Sequence, residues 1–102
     1  MSRTFVLSLT LAVLPVLGWA DQAKIDNCSA TASIVSEAVA QRQNGHSSTM
    51  ATEFLLTDEA GVAEKYNQTI PVLVDWVYSL EEANLGDGVA KSFEESCLNY
   101  EG

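Results

Sequence analysis

The chain has 102 residues, 47% of them hydrophobic, and sets 14 Asp and Glu against 5 Lys and Arg for a formal net charge of −9. That length suits one domain whose core is small enough to need support beyond its own packing. The charge argues against nucleic acid and anionic membrane surfaces as partners, because both would repel it.

The first predicted element is a secretory signal peptide over residues 1–20. Arg3 supplies a positive start, Phe5 to Leu17 an apolar core, and Gly18-Trp19-Ala20 a small-x-small cleavage site before Asp21. The apolar run is too short to span a bilayer, and no later segment comes close, so no stable membrane insertion is expected once the leader is removed. Lipid anchoring requires a cysteine directly after the cleavage site, whereas the first one here is Cys28. The expected product is one helical domain, residues 21–102, periplasmic or secreted. It would keep Lys24, Arg42, Lys65 and Lys91 against 14 carboxylates, a formal charge of four minus 14, or −10.

Helix one is predicted over Lys24 to Gln43, where Pro and Gly are absent and Ile25, Cys28, Ala32, Val35 and Val39 recur at three and four residue steps. Asn44-Gly45 should stop it, since glycine adopts the left-handed conformation that closes a helix. Arg42 beside that end complements the helix dipole. Ser47, Ser48 and Thr49 offer N-cap oxygens for a short second helix carrying Met50, Phe54 and Leu55.

A third helical run starts near Thr57 or Asp58, with Asp58, Glu59 and Glu64 suited to the positive end of a dipole. Ala63, Tyr66, Ile70, Leu73, Val74 and Val77 repeat at helical spacing and make it the strongest periodic run in the chain. Pro71 interrupts it, which predicts either a kinked helix or two helices abutting near Thr69. Residues 84–88 read as a loop. Val89, Phe93, Cys97 and Tyr100 then place a last helix with its cysteine on the apolar face. The expected fold class is all-α, a small antiparallel bundle of about four helices.

Cys28 and Cys97 are the chain's two cysteines, and an oxidising compartment favours their pairing. Closing a loop of roughly 70 residues would stabilise the fold by about 4 kcal/mol on the chain-entropy model. The bond would tie the first helix to the last. Cys-x-x-Cys spacing is missing and His46 is the single histidine, so no metal site is expected.

Catalytic chemistry finds no support in these residues. Ser-x-x-Lys and Gly-x-Ser-x-Gly are both missing, and His46 reads as a solvated loop residue. The Glu81-Glu82 and Glu94-Glu95 pairs diverge around a helix, because adjacent positions do not face each other. Gly86-Asp87-Gly88 lacks the rest of a phosphate loop, and glycines stand where a calcium loop needs oxygen ligands. No catalytic residue and no cofactor is expected.

One feature points to binding. Val72, Trp76 and Leu80 form a second stripe at four-residue spacing, displaced from the Tyr66, Ile70, Leu73 and Val77 face. Such a helix is either central and covered on both sides, or it carries an exposed apolar patch for a protein partner or for self-association.

The layout resembles small, uncharacterised exported helical proteins of proteobacteria. The resemblance rests on the leader, the early cysteine, Arg42-Gln43-Asn44-Gly45, a central amphipathic helix containing tyrosine, and Phe93 to Cys97. It implies an exported helical domain and brings no established activity. The plan is also similar to periplasmic acid-stress chaperones of the HdeA type, although the cysteines here lie much farther apart. The leading expectation is an exported noncatalytic protein-binding module, an inhibitor or immunity type of protein acting on another exported protein. The runner-up is a periplasmic stress chaperone whose many carboxylates neutralise in acid.

Overall fold

The computed structural model describes the backbone of residues 14–100 and the side chains from Asp21 onward. The expected signal peptide, residues 1–20, lies outside them apart from the backbone of residues 14–20. The described residues form four α-helices, with 3-10 turns between the second and third and between the third and fourth, and no strand among them. They are α1 (Leu14–Gln43), α2 (Ser48–Leu55), α3 (Ile70–Ser79) and α4 (Gly88–Asn99). The all-α class and the one disulfide expected from sequence are therefore present.

Helix α1 ends as its sequence dictates. Gly45 takes φ +87°, and the amides of Gly45 and His46 donate to the carbonyls of Arg42 and Gln41, each at 3.0 Å. This pair of bonds satisfies carbonyls that the helix end leaves without partners. Cys28, Ala32, Val35 and Val39 are buried, and Ile34 and Ala38 widen the stripe. Ile25, expected to open the series, is exposed.

Ser47 caps α2, its Oγ accepting from the Met50 amide at 3.2 Å. The buried residues of α2 are Ala51 and Leu55, while Met50 is exposed and Phe54 half-buried. The apolar face thus lies one position away from the expected one.

The third run departs most from expectation. Residues 58–60 and 64–66 are isolated 3-10 turns separated by Gly61 at φ +73°, a conformation that ends a right-handed helix. Helix α3 begins at Ile70, and Pro71 sits in its first turn instead of kinking its middle. Amides of the first turn lack helical acceptors in any case, so proline costs nothing there and its fixed φ favours the start. The buried Ile70, Leu73, Val74 and Val77 follow the predicted period.

Buried side chains of α1, α2 and α3 make one cluster, which includes Ile34, Val35, Leu55, Ile70, Val74 and Val77. Helix α4 contributes no buried residue, and its Val89, Ala90 and Phe93 pack half-buried against that cluster. Cys28 and Cys97 are joined, with their Cα atoms 5.7 Å apart. Lys24 Nζ donates to the Tyr100 carbonyl at 2.6 Å, so the end of α4 lies beside the Lys24–Cys28 stretch of α1. Tyr66 reaches Asn27, and Leu80 reaches Arg42. The chain from Tyr66 through α3 accordingly runs in the same sense as α1, and α4 returns against both.

Candidate functional site

The residues singled out as a partner surface lie on the outer side of α3. Val72 is 65% exposed and Trp76 40% exposed, whereas Leu80, just past the helix end, is half-buried. Period decides this placement: Leu73, Val74 and Val77 turn inward to the core, which leaves the residues one step away facing out. Neighbouring helices leave Val72 open and cover Trp76 and Leu80 only in part, so the stripe presents apolar surface.

Helix α4 meets the stripe along one edge. The rings of Trp76 and Phe93 stand 5.8 Å apart between centroids and are tilted by 47°, within the range for favourable aromatic pairs. Beside them Trp76, Leu80, Asn84, Gly88, Val89 and Ser92 line a shallow, open groove of about 300 Å³. The Phe93 and Val89 contribution escaped the sequence reading, which placed both residues on the inner face of the last helix. Their four-residue spacing marked an apolar stripe but did not say which helix it would meet. Asp75, Glu81, Glu82 and Asp87 neighbour groove residues in sequence, and all four are exposed.

A polar cluster sets the end of α3 against the α1–α2 corner. Arg42 Nη1 donates to the carbonyls of Val77 at 2.8 Å and Leu80 at 2.6 Å. The guanidinium also stands 5.7 Å from the centroid of the Tyr78 ring. Arg42 lies in the last turn of its own helix, but the carbonyls it satisfies belong to the end of α3. Its place in the last turn of α1 is the one expected from sequence, and the bonds to α3 come in addition. Tyr78 donates its hydroxyl to the His46 carbonyl at 2.7 Å. His46 is half-buried with Nδ1 against Gln41 Oε1, so it is a fixed corner residue and not a freely solvated one. Burial raises the Tyr78 pKa above its ordinary 10.0, with the Arg42 charge opposing that shift.

Among the described residues no group of three or more His, Cys, Asp or Glu is placed to hold a metal ion. No described helix is long and apolar enough to cross a membrane. Comparison with family models, with curated proteins and with solved structures found no match for this chain.

Proposed function

We propose that this chain is an exported, noncatalytic protein-binding module that docks a basic protein through the Val72, Trp76 and Leu80 stripe. Its specific form is an inhibitor or immunity type of protein acting on another exported protein. The observation that carries the reading is the 40% exposure of Trp76 at the mouth of an open apolar groove. Aromatic side chains in that position are the usual anchors of protein interfaces, because they bury a large area at low entropic cost. The exposed carboxylates of Glu81, Glu82 and Asp87, which neighbour groove residues in sequence, together with a net charge of −9, favour a basic partner and would steer its approach.

The test is capture from the exported fraction of the host by the disulfide-bonded protein, in parallel with Val72→Asp and Trp76→Ala. The expected result is one stoichiometric basic partner that is lost in both variants and weakened by salt, since screening shortens the reach of surface charge. A diverse set of clients held only in acid would replace this reading with the chaperone. Self-association abolished by Val72→Asp would make the stripe a contact between copies. No partner under any condition would overturn the binding reading.

A further inference from the structure

We infer that the cleft between α1 and the connection from α2 to α3 is a binding site for a small organic amine, a molecule with an apolar body and one ammonium group. The cleft has a volume of about 400 Å³, walled by Ile34 of α1, Leu55 at the end of α2, and Val62, Ala63 and Tyr66 of the connection. That volume falls in the lower part of the range for ligand pockets, roughly 300–1,000 Å³. Small residues keep it open, with Ala30 and Ser33 on one wall and Ala60 and Gly61 on the other. The Tyr66 hydroxyl donates to Asn27 Oδ1 at 2.6 Å, which fixes the position of its ring.

Glu37 is the one charged residue lining this cleft. Its Oε2 accepts from Gln41 Nε2 at 3.2 Å, and the oxygen of the Gln41 amide meets His46 Nδ1. The carboxylate is thus held by a neutral amide, which orients it without neutralising its charge. An anion entering here would meet Glu37 and the net negative field of the protein, against which the nearby cation is Lys65, whose Nζ is engaged with Asn27 Oδ1 at 3.2 Å and the Tyr66 ring at 5.2 Å. A neutral apolar molecule would desolvate the carboxylate and offer it no partner. An amine satisfies both requirements: its body covers the apolar walls and its ammonium forms a charge-assisted hydrogen bond to Glu37. The site shares no residue with the Trp76 groove, so it stands or falls independently of the partner reading.

The experiment is a nuclear magnetic resonance titration of the isotope-labelled, disulfide-bonded chain with n-hexylamine and with benzylamine, at an ionic strength of about 0.15 M to screen the diffuse surface charge. Hexanol, hexanoate and a short lysine-containing peptide serve as comparison ligands. The expected result is saturable amide shifts at Ala30, Ile34, Gly61 and Val62, with Glu37→Gln weakening the amine about tenfold, the scale of one charged hydrogen bond. Glutamine keeps the shape of Glu37 and still accepts from Gln41, so this variant reports on charge and not on folding. Ala30→Leu, which fills the cleft, should abolish the shifts. Four outcomes would each overturn the assignment. They are equal affinity for hexanol, an unchanged Kd in Glu37→Gln, non-saturating shifts spread over the acidic surface, and tighter binding of the peptide than of either amine.

Discussion

Helices α1, α2 and α3 pool fully buried side chains in a common cluster, whereas α4 touches that cluster only through the half-buried Val89, Ala90 and Phe93. The first three are held by the exclusion of apolar surface from water, a force that needs no specific partner. Helix α4 lies along α1 and is further held by the Cys28–Cys97 bond, the Trp76–Phe93 ring contact and the Lys24–Tyr100 hydrogen bond. A small domain thus completes its fully buried core with three helices and fixes the fourth by half-buried packing together with a covalent bond. The arrangement bears on function, because Trp76 and the groove lie at the seam between the two regions.

The sharpest way to break this comparison is to remove the bond. Cys28→Ala combined with Cys97→Ala should lower the unfolding free energy in urea by about 4 kcal/mol. Hydrogen exchange in the same variant should show α4 amides losing protection before those of α1 and α3. Uniform loss across all four helices would mean that α4 belongs to the common core. Next in size is Ile70→Ala at the centre of the cluster, expected to cost about 3 kcal/mol and to lower the stability of α1, α2 and α3 together. Phe93→Ala should cost less, about 1–2 kcal/mol, since the ring is only half covered. An effect on Phe93 as large as that on Ile70 would erase the distinction between the regions.

Arg42 tests how the end of α3 is held. Arg42→Met keeps much of the stem but leaves the Val77 and Leu80 carbonyls without their charged donor, and should cost about 1–2 kcal/mol in thermal or urea unfolding. Lysine at the same position should restore part of this, having a charge but no planar fork. The smallest effect concerns Tyr78. Its pKa in the folded protein lies above the unfolded value of 10.0, so the folded state holds the phenolic proton more firmly. This contribution is complete below pH 10.0 and is lost as pH rises through the folded pKa, because the unfolded chain releases its proton first. Tyr78→Phe should therefore flatten the alkaline limb of a stability profile, and an unchanged slope above that pH would discount the residue.

Legibility from sequence followed the range of the forces involved. The stop at Gly45 and the cap of α2 depend on bonds within one helical turn; residue type marked the first directly and narrowed the second to Ser47, Ser48 or Thr49, of which the structure uses Ser47. The segment from Thr57 to Thr69 misled because its apolar residues kept a helical period although the backbone forms only short 3-10 turns, interrupted at Gly61. Periodicity reports which side chains want shelter, while a single left-handed residue decides whether the chain can continue to turn. The cleft beside Glu37 had no signal of its own, since it joins α1 to a connection roughly 25 positions further along and depends on small residues that leave space.

By itself, the sequence determined the helical class, the four helical segments in outline, the cysteine pair and the inward face of α3. Each of these rests on local backbone preference, on a repeating apolar period, or on the single pairing that two cysteines allow. Tertiary structure decided the rest: that Trp76 remains exposed beside α4, that Arg42 serves the end of a different helix, and that Glu37 borders an open cleft. Burial and hydrogen-bond partners depend on which distant surfaces meet, and the packing of one helix against another settles that only when the whole chain has folded.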